Sequence, residues 1–172
     1  IQVNIASDTT PFLYPNQFCN FNADSNVVTV SDTITSGMTD PLKKVEAIYN
    51  YAVDNITYDN QKAATVQSGY LPNVDATLAQ KKGICFDYAA LTTAMLRARD
   101  IPCKLQIGYA GTVKHAWITV YIRSKGWVDK GVEFSGDSWS RMDPTFDSNS
   151  QDEETIQQYI GDDDNYSVQF TR

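Results

Sequence analysis

The chain has 172 residues, the size of one domain with its own core, and its 42% hydrophobic and 12% aromatic content is that of a packed protein rather than a disordered one. Its 21 acidic against 14 basic residues give a net charge of −7, and no Lys/Arg cluster concentrates positive field on one face, which argues against nucleic-acid binding. No apolar run approaches the roughly 20 residues of a membrane helix; the longest candidate, Ala116 to Ile122, is short and interrupted by Thr119. The chain opens on Ile1 rather than Met and is read as processed or trimmed, so the lack of a leader or anchor carries no information.

No internal repeat or low-complexity linker divides the chain, which is read as one domain over 1–172 with a core at about 40–146. Residues 1–37, rich in Asn, Ser, Thr and Asp, form an N-terminal extension with a β-like run at Val27–Ile34. A strong helix starts at Asp40-Pro41, where Asp40 can cap free N–H groups and Pro41 suits the first helical position. Leu42, Val45, Ile48, Ala52 and Ile56 then give one buried stripe. Residues 59–77 look irregular, with Gly69, Pro72 and Asn73, and a short helical turn from Asp75 to Lys82 ends at Gly83.

A second strong helix runs from about Cys85 to Arg99, with Ala89, Leu91, Ala94, Met95 and Ala98 on its apolar side and Pro102 forbidding continuation. Lys104–Ala110, Ala116–Ser124, Trp127–Lys130 and Ser138–Met142 are β-like, several with alternation such as Trp117, Thr119, Tyr121. One more helix at 152–160 and a closing strand at Ser167–Thr171 complete the reading. Helices first and strands afterwards is an α+β layout, with helices packed on an antiparallel sheet.

Three residues can carry chemistry together. Cys85 sits directly after Gly83-Ile84 at a helix start, where free N–H groups and the positive end of the helix dipole favour a thiolate. Those N–H groups can also bind an oxyanion, and Gly83 permits a tight turn or a close substrate approach. A lone cysteine is more often a buried structural thiol; its company changes that weighting. His115 is the only histidine, so it excludes a multi-histidine zinc site and makes any histidine-dependent mechanism unambiguous. Asp143, followed by Pro144-Thr145, can accept from the second ring nitrogen and fix its tautomer, although Asp before Pro is also an ordinary turn signal. Asp129 is its rival.

Gly83-Ile84-Cys85-Phe86-Asp87-Tyr88-Ala89-Ala90-Leu91, Ile101-Pro102-Cys103-Lys104, Gly108-Tyr109, His115-Ala116-Trp117 and Asp143-Pro144-Thr145 occur in one order along the chain, with Tyr58-Asp59 upstream. In that order they resemble the transglutaminase-like domain, over about residues 45–146. The resemblance implies a papain-like α+β fold and a triad of Cys85 as nucleophile, His115 as base and Asp143 as orienting acid. It also suggests Gln80 or Tyr58 as a side-chain oxyanion donor, although for each taken singly a plain solvated surface role is the favoured reading. Two departures stand out: Asp100 replaces a usual Gly, and the 28-residue step from His115 to Asp143, with Gly126, Gly131 and Gly136, has room for a hairpin or flap.

The implied activity is cysteine-dependent acyl transfer on amide bonds, resolved by water as a peptidase or amidase. The alternatives are a protein-glutamine γ-glutamyltransferase, which cross-links or deamidates, and a non-catalytic binding module that keeps the fold. The expected partner is a protein or peptide, cell-wall peptides included, at an extracellular or cell-surface location. No metal or organic cofactor is expected, since no Gly-rich phosphate loop or transition-metal cluster is evident.

Cys19 and Cys103 either pair as a disulfide, leaving Cys85 free, or serve as small buried hydrophobes. Trp117, Trp127 and Trp139 read as sheet packing before substrate platforms. Asp162-Asp163-Asp164 lacks calcium-loop spacing, and the sequon-like Asn55-Ile56-Thr57 and Asn165-Tyr166-Ser167 are patterns that arise by chance.

Overall fold

The computed structural model describes residues 7–128 and 166–172. After a 3-10 turn at Thr10–Leu13 come α1 (Asn26–Ile34), α2 (Pro41–Asn55), β1 (Thr57–Tyr58), α3 (Asn60–Thr65), α4 (Val74–Gln80), β2 (Lys82–Gly83) and α5 (Cys85–Arg97). Four strands follow: β3 (Cys103–Ala110), β4 (Val113–Ile122), β5 (Gly126–Val128) and β6 (Tyr166–Thr171). The expected strand at Ser138–Met142 and helix at 152–160 lie outside the described residues, as do Asp129, Trp139, Asp143 and the Asp162–Asp164 run.

The fold is α+β, with helices first and an antiparallel sheet of order β5-β4-β3-β6 afterwards. Helix α5 is its axis. Every residue from Asp87 to Arg97 is buried, because α1, α2 and α4 pack against one side while β3 and β4 pack against the other. A helix enclosed this way must be apolar all round, and Ala89, Ala90, Leu91, Ala94, Met95 and Leu96 supply that surface. Small alanines let the neighbouring elements approach closely. Burying Leu91, Met95 and Leu96 contributes about 1.5–3 kcal/mol each.

Helix α2 begins as its sequence directs: the Asp40 carboxylate accepts from Leu42 N at 2.9 Å, and Pro41 stands at the first position. Its Val45, Ile48, Tyr49 and Ala52 face the core.

The run Val27–Ile34, expected as β, is instead helix α1. Its β-branched residues favour strands, but Val27 and Ser31 are spaced for one buried helical face. Its cap comes from far along the chain, where Asp75 accepts from Asn26 N at 3.2 Å and Val27 N at 2.9 Å. Cys19 and Val27 are fully buried in the same core as α5.

The segment 59–77 is likewise more regular than expected. The Asp59 side chain accepts from Lys62 N at 2.9 Å and starts α3, and Asn73 accepts from Ala76 N at 2.9 Å to start α4. Helix α4 closes on Lys81 in the left-handed region, at φ 52°, so Gly83 is not its terminator.

The sheet brings chain-distant residues together. Strand β3 leaves the end of α5 near Arg97, whose Nε donates to Cys103 O at 3.0 Å, and runs back along the helix. A two-residue turn with Gly111 at φ 60° joins β3 to β4, with Ala110 opposite Val113. His115 lies opposite Gly108 on β4, and both β3 and β4 pack against α5.

Candidate active site

Cys85 is the first residue of α5 and is half-buried. Ile84 before it is extended (φ −97°, ψ 175°), and the first helical backbone bond is Tyr88 N to Ile84 O at 3.1 Å. The amides of residues 85–87 thus precede the helical ladder and form the donor-rich, partly positive end of a helix.

Two residues on, Asp87 has no exposed side-chain surface. Its Oδ2 accepts from Ile84 N at 2.8 Å and from Lys62 Nζ at 2.6 Å; its Oδ1 accepts from the Tyr70 hydroxyl at 2.5 Å. Lys62 Nζ also donates to the Tyr70 oxygen at 2.7 Å. Burial pulls the Lys62 ammonium down, but its bonds to Asp87 and Tyr70 outweigh this and hold its pKa above the usual lysine value. Burial, together with the Asp87 bond, pushes the Tyr70 phenol up.

Gly83 has a different use from the turn or substrate approach expected of it. A Cβ there would lie 2.6 Å from Asp87 Cβ. The missing side chain makes room for Asp87 to fold back onto the amide of Ile84.

The chain leading into Cys85 is held by β1 and β2, which pair in parallel with Tyr58 opposite Gly83. Asp59 N donates to Gly83 O at 2.8 Å. The Asp59 carboxylate meets Lys82 at 3.3 Å, and its pKa is lowered, chiefly by the Lys62 backbone amide. Of the two side-chain oxyanion candidates, half-buried Tyr58 lies alongside the residues leading into Cys85, while Gln80 is exposed at the end of α4. Phe86 extends the site's wall, with its ring 6.3 Å from both Phe18 and Tyr70.

His115 is 6% exposed. In β4, Ala116, Ile118, Val120 and Ile122 pack in the core with α5; the alternating residues His115 and Trp117 share the other face. Their rings stack at 6.2 Å, and Tyr166 of β6 approaches both, at 6.4 Å and 5.0 Å. Gly108 admits this arrangement, since a Cβ there would meet Ser167 O at 1.9 Å and the Trp117 ring at 3.0 Å. Trp117 is fully buried, and Trp127 packs edge-on against Phe12 and Tyr121 under Lys104 Nζ.

At the other end of α5, buried Arg97 donates to Cys103 O (3.0 and 2.7 Å), Tyr14 O (2.6 Å), Arg172 O (2.9 Å) and Cys19 Sγ (3.1 Å). All three cysteines are free thiols, with Cys19 and Cys103 buried. Burial pushes the Cys103 thiol up to about 12 and raises Cys19, against the pull of Arg97.

Among the described residues, no group of three His, Cys, Asp or Glu side chains could hold a metal, and no helix is long and apolar enough to cross a membrane. Sequence reasoning did not single out Asp87, Lys62 or Tyr70. The available signal was a carboxylate inside an otherwise apolar helix, which demands a cationic partner when buried.

A sequence model described as the transglutaminase-like superfamily matches residues 28–144. A candidate cysteine protease from Cytophaga hutchinsonii superposes with a TM-score of 0.59 at 24% identity, covering 83% of this chain and 43% of that one. The periplasmic domain of TgpA from Pseudomonas aeruginosa superposes with a TM-score of 0.56 at 20% identity, covering 83% of this chain and 50% of its own. UPF0252 protein MJ1282 of Methanocaldococcus jannaschii is 36% identical over 74 residues, 40% of this chain but 21% of that protein. The chain thus spans half or less of each of these proteins.

Proposed function

Because the chain belongs to the transglutaminase-like superfamily, we propose that it is a cysteine-dependent acyl-transfer enzyme acting on amide bonds, with Cys85, His115 and Asp143 as its triad. One observation supports the proposal: half-buried Cys85 opens the buried α5, and that helix packs on β4, the strand that carries His115. His115 takes the Cys85 proton, and the thiolate attacks the amide carbonyl. Negative charge on the carbonyl oxygen meets the amides that open α5, with Tyr58 better placed than Gln80 to add a side-chain donor. As the tetrahedral adduct collapses, His115 passes the proton to the leaving amine and a thioester remains on Cys85. Water, deprotonated by His115, releases the acid and regenerates the thiol. Asp143 holds the imidazole in the tautomer both steps need.

Hydrolysis is the favoured outcome, on a protein or peptide substrate, cell-wall peptides included. The wall of Phe18, Tyr70 and Phe86 suits an apolar side chain. An extracellular or cell-surface location belongs to the same reading, in line with the periplasmic setting of one structural neighbour.

The test is a peptide mixture incubated with the protein, with and without a labelled primary amine, and read by mass spectrometry. Cleaved peptides, with an acyl adduct at Cys85 that is absent from Cys85→Ala and His115→Ala, are the expected result. Amine incorporation without cleavage would make the enzyme a glutamyltransferase. Unaltered peptides and no adduct would favour a binding module. Chelators should leave turnover unchanged; loss of activity restored by calcium would contradict the cofactor-free reading.

A further inference from the structure

A buried carboxylate is an awkward neighbour for a group that must become an anion. Asp87 and Cys85 occupy the first turn of the same helix, and Asp87 is wholly enclosed. In a medium of reduced dielectric, two negative charges within one helical turn oppose each other by far more than they would in water. The carboxylate has a clear local use, because it accepts the otherwise orphaned amide of Ile84 and complements the helix dipole. What reconciles it with the thiol is the cation set against it. Lys62 comes from α3, a short helix outside the core, yet its ammonium lies 2.6 Å from Asp87 Oδ2 and 4.4 Å from the centre of the Tyr70 ring. Tyr70 in turn reaches Asp87 Oδ1 and lays its ring against Phe86. The other charges near this end are Asp59 and Lys82, which pair with each other; the titratable His115 is on β4, which packs on α5.

We propose that Lys62, braced by Tyr70, is a positioning residue for the nucleophile: its ammonium cancels the Asp87 charge and ties the first turn of α5 to the 60–70 segment, so that a thiolate can form at Cys85. The inference rests on Cys85 being the nucleophile, and it adds a charge-balancing residue that touches neither substrate nor sulfur.

The test is the pH profile of Cys85 alkylation by iodoacetamide in the whole chain, followed by peptide mass mapping. Lys62→Met should move the midpoint upward by about half to one pH unit, because the Asp87 charge is then uncompensated. Asp87→Asn should move it downward, because Lys62 keeps its charge and loses its counter-ion. Lys62→Arg should restore the wild-type midpoint, and the double variant Lys62→Met/Asp87→Asn should return close to it. Opposite signs are the signature, since a merely loosened helix end would move both single variants the same way. Shifts of like sign, or a folded Lys62→Met with an unmoved midpoint, would overturn the proposal. Thermal melts report which variants fold; if Lys62→Met does not, the sign for Asp87→Asn decides alone. A wild-type Cys85 with the midpoint of an ordinary thiol, about pH 8.5, would sink the nucleophile assignment, while the signs across the variants would still be readable.

Discussion

The two ends of α5 carry the same kinds of groups and put them to opposite uses. At its start stand a thiol, Cys85, and a buried charge, Asp87; at its finish stand two thiols, Cys19 and Cys103, around a buried charge, Arg97. Both charges suit the helix dipole, the anion in the first turn and the cation in the last. The difference lies in what satisfies them. Asp87 is met by a side-chain cation and a phenol from a short helix and loop, beside a half-buried sulfur. Arg97 is met by the carbonyls of Tyr14, Cys103 and Arg172, with both sulfurs enclosed. A thiol beside a charge is therefore half-buried at one end and enclosed packing at the other. Burial makes the distinction, not the residue type or the charge beside it, since it raises both enclosed thiols against the pull of Arg97.

The contrast breaks most visibly in thiol chemistry. Cys85 should be alkylated by iodoacetamide at mildly acidic pH at least ~1,000-fold faster than Cys19 or Cys103 in the folded protein, by peptide mass mapping. Comparable rates at all three would erase the functional difference between the helix ends.

The next effect is on stability and lies at the opposite end. Arg97→Met should cost about 3–5 kcal/mol in urea unfolding, because it strands the carbonyls of Tyr14, Cys103 and Arg172. Cys85→Ala should change stability by less than about 1 kcal/mol while removing activity. If both variants unfolded alike, the start of α5 would be as structural as its end.

Alkaline pH sharpens the contrast with a definite sign. The folded Cys103 thiol is raised to about 12, so the native state holds a proton that the unfolded chain releases near pH 8.5. Its contribution is fully present below about pH 8.5 and is lost as pH rises towards 12, at a slope of about 1.4 kcal/mol per pH unit. The raised Tyr70 and Lys62 groups act in the same direction above about pH 10. Cys103→Ala should therefore start less stable but fall less steeply between pH 9 and pH 11, measured by denaturant midpoints.

The smallest effect sits in the turn after α5. Asp100, where a glycine is usual in the resembling pattern, has φ 60° and is exposed. Asp100→Gly should relieve left-handed backbone strain and add about 0.5–1 kcal/mol to unfolding stability, visible as a few degrees in Tm.

How much of this was legible follows from where each signal is encoded. Helix α2 was readable because its cap, its Pro41 and its stripe all lie within a few residues of one another. The start of α5, the β3–β4 alternation and His115 on it were readable for the same reason, as period and breaker residues are local properties. The run Val27–Ile34 misled because its β-branched composition is local while its cap, Asp75, comes from elsewhere in the chain. Gly83 was noticed for its freedom, but only packing revealed that its absent Cβ accommodates Asp87.

The sequence by itself thus determined the α+β order, the helix that opens on Cys85 and the strand that holds His115. Only the tertiary structure decided which charges sit beside which thiols. Lys62, Tyr70 and Asp87 meet across gaps of 8, 17 and 25 residues, and Arg97 reaches Tyr14 across 83. Periodicity and capping are written in neighbouring residues, whereas the cost of enclosing a charge is settled by partners that only the folded chain brings within reach.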